Sequence, residues 1–419
     1  YKTDPDGCLA TVAALVAEAG QMVGIFDKPK YIDFIPDLCA HSRNKKTGCT
    51  RCLDLCPTGA IVPAGDTVMI DPAICAGCGQ CAAACPTGAA SYALPVVGSL
   101  AARLRSGLSA WFAAGGRSAP VILFHDEAHG AALIDAAARF GRGLPAHVMP
   151  VQITEPSQIG PETMAAALAW GAGGVRVLAK DRTAHPLDGL ANTLDLMAAI
   201  CAATGLPETA CGLIQTDDPD TLEAALWQPA APARGARSSF LPPEDKRGLL
   251  TLAMEELNRT APRPAERIEL PQGAPFGTVH LNLDSCTLCL SCVGACPTGA
   301  LGDNPDKPML RFTESACVQC GICAATCPED AIAIKAQMDF AAWATPKRIL
   351  KQEEPFCCTR CGKGFGTGSS IRRVMERLDS HWMFSGEDGA ARKRLLTMCD
   401  DCRTQEVVIA GFDPHQAPN

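Results

Sequence analysis

Large rings are scarce in this chain. Phe, Trp and Tyr together make up 5% of 419 residues, while Gly contributes 38 and Pro 32. Small side chains therefore dominate, which suits backbone packed closely around cofactors. A basic excess is also missing: 37 Lys and Arg stand against 45 Asp and Glu, a formal charge of −8. That excludes nucleic acid as a natural partner and favours a docking protein with a basic face. No apolar run approaches the length of a membrane span, and no signal-peptide pattern is visible. No residue set supplies a pocket with acid, base or nucleophile, so nothing points to bond-making chemistry. The chain opens at Tyr1 and not Met, which leaves room for an upstream segment or domain.

Cysteine, by contrast, is abundant: 24 residues. In a short secreted chain this would suggest disulfides, but here the cysteines stand in C-x2-C runs, for which metal ligation is the better account. A reducing compartment, the cytoplasm, is the expected location. Cys286-Thr-Leu-Cys289-Leu-Ser-Cys292-Val-Gly-Ala-Cys296-Pro297 is followed by Cys317-Val-Gln-Cys320-Gly-Ile-Cys323-Ala-Ala-Thr-Cys327-Pro328. Each is C-x2-C-x2-C-x3-C-P, in which three thiolates wrap one iron–sulfur cube and the fourth completes the other. The expected sets are Cys286, Cys289, Cys292 and Cys327 on one 4Fe–4S cluster, and Cys317, Cys320, Cys323 and Cys296 on a second.

An earlier stretch repeats the arrangement less regularly. Cys75-Ala-Gly-Cys78-Gly-Gln-Cys81-Ala-Ala-Ala-Cys85-Pro86 is complete, but Cys49-Thr-Arg-Cys52-Leu-Asp-Leu-Cys56-Pro57 has Lys46 where the leading cysteine belongs. Cys39 is the obvious substitute if Ala40–Gly48 loops out; His41, or a three-cysteine cluster lacking one iron, are the alternatives. The assignment is then Cys39, Cys49, Cys52 and Cys85 on one cube, with Cys75, Cys78, Cys81 and Cys56 on the other. Cys-Pro-Thr-Gly-Ala recurs at 56–60, 85–89 and 296–300, with Cys-Pro-Glu-Asp-Ala at 327–331. A short apolar strand is expected after each, and hairpin-like pieces at Thr67–Ile70 and Met309–Phe312 between paired runs, giving small α+β units.

Residues 95–227 lack cysteine runs and alternate strand and helix patterns. Strands are expected at Pro120–Phe124, His147–Val151, Val175–Ala179 and Cys211–Gln215, and helices at Ala128–Phe140, Pro161–Trp170, Leu187–Ala203 and Pro219–Leu226. Such alternation implies right-handed crossovers and a flavodoxin-like parallel sheet. Gly171-Ala-Gly-Gly174 lies between helix and strand, where it fits a helix C-terminal cap and not a phosphate cradle. His125 and His129 read as a solvated loop end, with metal ligation the alternative; Cys201 and Cys211 read as buried small apolar residues, and Cys8 as an unligated thiol.

The expected organisation is a helical lead-in over 1–38 with a helix near Leu9–Ala19, dicluster modules at 39–94 and 278–337, and the α/β domain at 95–227 between them. A linker at 228–277 carries one helix near Glu244–Asn258, and 338–356 wraps the second module within a tail that runs over 338–419. That tail holds Cys357-Cys358-Thr-Arg-Cys361 and Cys399-Asp-Asp-Cys402, with helices near Ser370–Leu378 and Ala390–Thr397. Cys358, Cys361, Cys399 and Cys402 can close a tetrahedral zinc-ribbon-like site, with Cys357 as the spare or in place of Cys358. A further cluster or free thiols are the alternatives.

Through these runs both cysteine-rich modules resemble bacterial-type 2(4Fe–4S) ferredoxins. In Gln152–Ala179, with its Ala165-Ala-Ala-Leu-Ala-Trp-Gly-Ala-Gly-Gly-Val175 pattern, the middle domain is similar to the delta subunit of methyl-viologen-reducing hydrogenase. That family carries cluster cysteines on its loops; here they carry His125 and no cysteine. The whole order is similar to the long 4Fe–4S-binding proteins associated with bacterial molybdenum-dependent formate dehydrogenases. The resemblance implies an electron-transfer subunit with a redox-enzyme partner such as formate dehydrogenase. The alternatives are a maturation factor for a molybdoenzyme, and a flavoprotein using the α/β domain.

Overall fold

The computed structural model describes residues 9–21, 23, 27–384 and 389–409. Cys8 lies outside the described residues. The first helix spans Leu9–Gln21.

Four strands, Val121–His125, Val148–Gln152, Gly174–Ala179 and Cys211–Gln215, form one parallel sheet. Their spatial order is 211–215, 174–179, 121–125, 148–152. Read from the other edge this is strand order 2-1-3-4, with which doubly wound sheets of flavodoxin type begin. Ile122, Leu123, Phe124, Val175, Val177, Leu178 and Ala179 are all fully buried, as expected of central strands covered on both faces. Gly171 has φ +110° and its N–H donates to Leu168 O, so the glycine cluster does close a helix. The expected Ala128–Phe140 helix begins instead as a wider π turn at Glu127–Ala131 before the regular Ala132–Phe140. One further helix, Val97–Ala113, covers the sheet through Leu100, Leu104 and Leu108.

Each cysteine-rich stretch is a small α+β unit. In the first, Ile61–Ala64 pairs with Thr67–Ile70 and Ile32–Phe34 with Ala90–Tyr92. In the second, Leu301–Gly302 pairs with Met309–Phe312, and Gly277–Leu281 with Ile332–Asp339. Arg348–Gln352 adds itself to Met309–Phe312, so the segment after the second unit does wrap its edge.

Residues 228–277 differ from a simple linker. Their helix spans Lys246–Thr260, and Leu249, Leu250, Ala253, Met254 and Leu257 are at most 1% exposed. It packs along the wholly buried Pro161–Ala169 helix, and Phe276, Met338 and Trp343 of the second unit join the same core. The sheet region, this helix and the flanks of the second unit are thus fused by one core, while the first unit keeps a core of its own. The Pro- and Ala-rich flanks give the stretch its linker-like composition; the helix between them carries an apolar face.

Candidate metal centres

The regular runs share a backbone device. Gly77 and Gly79, Leu288 and Leu290, and Gln319 and Gly321 all have positive φ. These left-handed residues turn successive N–H groups inward toward sulfur, a nest suited to an anionic cluster. The Cys-Pro-Thr-Gly-Ala repeat acquires a purpose here. Thr58, Thr87 and Thr298 hydroxyls lie 3.7, 3.6 and 3.8 Å from Cys56, Cys85 and Cys296 Sγ. In the fourth copy, Asp330 takes the left-handed position at φ 47°, and Ala331 N–H donates to Cys327 Sγ at 3.3 Å. A reading confined to cysteine spacing passes over these threonines, although their repetition is the signal that marks them.

The irregular run is resolved by a hairpin. Ser42–Arg43 pairs with Lys46–Thr47 around Asn44 and Lys45 at φ 52° and 62°. Two consecutive left-handed residues are what a type I′ turn demands. Gly48 N–H to His41 O (2.6 Å) and Cys49 N–H to Ala40 O (2.9 Å) close its base, so the insertion loops out and Cys39 returns beside Cys49. Cys39 follows a single 3-10 turn with φ −72° and ψ 130°, the same values as Cys317 at the head of a regular run. The His41 ring is engaged elsewhere, with Nδ1 3.0 Å from Cys49 O.

Thiol ionisation reveals which sulfurs face one another. Burial, then Cys49, Cys85 and Cys39, push the Cys52 thiol up to about 12. Burial, then Cys78, Cys52, Cys75 and Cys56, push Cys81 higher still. In the second unit burial, then Cys289, Cys286 and Cys327, raise Cys292 to about 12. Burial followed by Cys317, Cys320 and Cys296 does the same to Cys323. Apart from Cys52, which also lies near Cys81 across the first module, each group joins three cysteines of one run with the last of the other. Such thiolates cannot all be ionised together without a cation among them. Cys39, Cys49, Cys52 and Cys85 line one concavity; Cys286, Cys289, Cys292 and Cys327, with Leu288, Leu290, Leu310 and Ile332, line another. The donor sets, the inward N–H groups and these spaces fit iron–sulfur cubes.

The two units also approach each other. A Cβ on Gly48 would collide with Ile322 Cγ1, so only glycine fits this seam. Cys320 of the second unit is near enough to Cys49 of the first for their charges to interact.

The tail cysteines are arranged differently. The ligand atoms of Cys358, Cys361, Cys399 and Cys402 all lie within 4.8 Å of one another, the one such group of three or more among the described residues. Cys361 and Cys399 Sγ are 3.7 Å apart. A tetrahedron of thiolates about 2.3 Å from a single zinc has edges of about 3.8 Å. The first pair sits on a knuckle in which Gly362 (φ 75°) N–H donates to Cys358 O at 2.9 Å. The second pair caps and enters the Asp400–Ile409 helix. Burial opposes ionisation of Cys358, but N–H groups of Cys361, Cys399 and Arg360 outweigh it and hold its thiol down to about 6. Cys357 is exposed and outside the group.

The other candidates are not gathered into sites. His129 Nε2 pairs with Asp217 at 3.0 Å, and His125 Nδ1 faces Asp126 O at 3.0 Å. At the sheet end where a phosphate would bind, Asp126 already accepts the N–H groups of His129 and Gly130. Cys201 and Cys211 are buried. No described helix is long and apolar enough to cross a membrane.

Comparison with known proteins agrees with this geometry. Residues 21–89 and 285–332 each match a 4Fe–4S dicluster domain. The chain is also similar to the B component of polysulfide reductase from Wolinella succinogenes, 32% identical over 101 residues, which cover 22% of this chain and 52% of that protein. It thus spans about half the length of that relative. Two 4Fe–4S dicluster domains thus stand on either side of a parallel sheet in this chain.

Proposed function

We propose that the chain carries four 4Fe–4S clusters in a line and passes electrons between a redox enzyme and an acceptor. The order is Cys56/75/78/81, then Cys39/49/52/85, then Cys296/317/320/323, then Cys286/289/292/327. The observation that carries it is the approach of Cys320 to Cys49, which brings two modules far apart in sequence into succession. Cys52 lies near Cys81 within the first module, and the Ser291–Ala295 and Ile322–Thr326 helices pack together within the second. Cys289, in the last set, is exposed and offers a surface exit. Each cluster supplies one-electron chemistry; the protein holds the sulfurs, excludes water and donates hydrogen bonds.

The boundaries 39–94, 95–227 and 278–337 are kept as the functional units, in a reducing, cytoplasmic setting. The tail set is assigned to zinc, and the middle domain, of hydrogenase-delta-like type, serves as a bracket. The order of parts supports formate dehydrogenase as the partner, while the similarity to a polysulfide reductase component keeps that enzyme class open. In either case the partner is a redox protein.

Anaerobic iron and sulfide analysis tests this. Four cubes require about sixteen irons per chain, and about eight would remove one module from the scheme. Affinity purification under the same conditions should bring down an active oxidoreductase in stable proportion. A maturation factor would release it.

A further inference from the structure

Two arginines occupy the seam between the modules. Arg247, at the head of the Lys246–Thr260 helix, donates through Nη1 to Pro86 O (3.2 Å) and Pro275 O (2.9 Å). Through Nη2 it donates to Ser315 O (2.6 Å) and Cys317 O (3.1 Å). Its guanidinium lies 4.3 Å over the Phe276 ring. Arg51, inside the irregular cysteine run, donates to Cys49 Sγ at 3.7 Å and Val318 O at 3.2 Å. It also reaches Gly273 O (3.2 Å) and Ala274 O (3.1 Å). One cation thus touches the Cys39/49/52/85 set directly and the Cys296/317/320/323 set through a backbone neighbour. The other touches the Cys317 carbonyl and the proline after Cys85.

All these acceptors are carbonyls or a sulfur. Among the described residues neither arginine is ion-paired with a carboxylate. An arginine keeps its positive charge throughout the neutral range. The outer set of the second module differs. Lys351 donates to Leu283 O at 2.8 Å and to Cys286 O at 2.5 Å, but its charge is countered by Glu353 at 3.1 Å. Lys246 beside Cys85 is likewise countered, by Glu162 at 3.8 Å. At the outer set of the first module the cation without a carboxylate partner is Lys28, on Ala73 O at 2.8 Å, and it is exposed to solvent. Partly buried positive charge without a carboxylate partner is therefore found at the two inner sets.

Resting on the four-cluster reading, we propose that Arg51 and Arg247 hold the two inner clusters at higher reduction potential than the two outer ones, so that electrons collect at the seam. A cluster gains one negative charge on reduction, and a nearby cation in a low-dielectric seam favours that added charge. An outer cluster is oxidised by one electron as its inner neighbour is reduced, and no proton need move. The two residues are positioning residues for charge and not ligands.

The test is a potentiometric titration followed by electron paramagnetic resonance on the whole anaerobic protein, comparing wild type with Arg51→Gln, Arg247→Gln and Arg247→Lys. The expected result is that two of four midpoints fall in each Gln variant while the other two stay. Arg247→Lys, which keeps the charge, should hold the wild-type values more nearly. Cys39→Ala identifies one moving signal by deleting it. Unchanged midpoints, or equal shifts of all four, overturn the proposal. Should Arg247→Gln fail to fold, Arg51→Gln gives the same decision from the half-exposed side of the seam. Wild-type iron content separates the two readings: a deficit sinks the four-cluster scheme, whereas full iron with unmoved midpoints sinks only the arginine assignment.

Discussion

Cys39→Ala is expected to delete one cluster and leave three. Cys39 is 7% exposed and stands at the head of its set with the backbone of a regular leading cysteine. The hairpin at 42–47 fixes it there, and no neighbouring cysteine can replace it. Iron should fall from about sixteen to about twelve per chain, since a cube holds four, and the reduced-state resonance of that cluster should vanish. The first module packs its small core around its cysteines, Cys39 and Cys81 among them, so its melting temperature should fall as well. His41→Ala should leave the iron count intact, because its ring is turned to Cys49 O. An unchanged spectrum and iron count in the Cys39 variant would sink the assignment and return His41 or a three-iron site to consideration.

Cys402→Ser is expected to unfold the end of the tail without disturbing the clusters. The core of that region is Cys358, Met398, Cys399 and Cys402, with Phe365 and Leu395 packed against it. The Gly368–Leu378 helix contributes no fully buried residue. Without metal there is little apolar area to offset chain entropy, whereas a structural zinc contributes on the order of 10–16 kcal/mol of binding energy to folding. Helical circular dichroism from Gly389–Leu395 and Asp400–Ile409 should be lost, and proteolysis there should accelerate. Zinc content should drop by one ion while the four-cluster spectrum and internal electron transfer persist. The Gly368–Leu378 helix should stay docked, since Arg373 and Arg377 reach Glu329 at 2.8 and 2.9 Å. Loss of iron in proportion to one cluster would instead make the tail a fifth cluster and extend the wire.

Much of this is legible in the sequence because its signals are local. Four cysteines at fixed offsets in a Pro-terminated run dictate their own loop, and alternation of apolar strands with helices dictates a parallel sheet. The middle strands fall within a residue or so of their expected places, since each is a short apolar run between turn signals. The Val97–Ala113 helix escapes that reading, although Leu100, Leu104 and Leu108 mark one face at helical spacing. The association of parts lies beyond reach. Nothing at Gly48 announces Ile322, and nothing at Arg247 announces Pro86, because those contacts depend on how three units close on one another. At 228–277 the helix near Glu244–Asn258 is legible, but proline and alanine on either side disguise its place in the core.

The Lys246 side chain closes on carbonyls made long before it. Its Nζ binds the Ala82, Ala83 and Cys85 carbonyls, and the separation from Ala82 is 164 residues. A ribosome adding 5–20 residues per second leaves an interval of roughly ten to thirty seconds between the two. Throughout it the first module has all its cysteines, while the Ala82, Ala83 and Cys85 carbonyls lack the ammonium that later gathers them. The concavity lined by Cys39, Cys49, Cys52 and Cys85 draws every wall from residues 34–90, so it is complete before the helix is made. Cluster insertion therefore need not wait for residue 246, and we expect ribosome-stalled chains ending near residue 230 already to hold iron, with chains ending near residue 300 holding it more firmly against a chelator. Equal release rates in the two would show that the Lys246 clamp adds no retention.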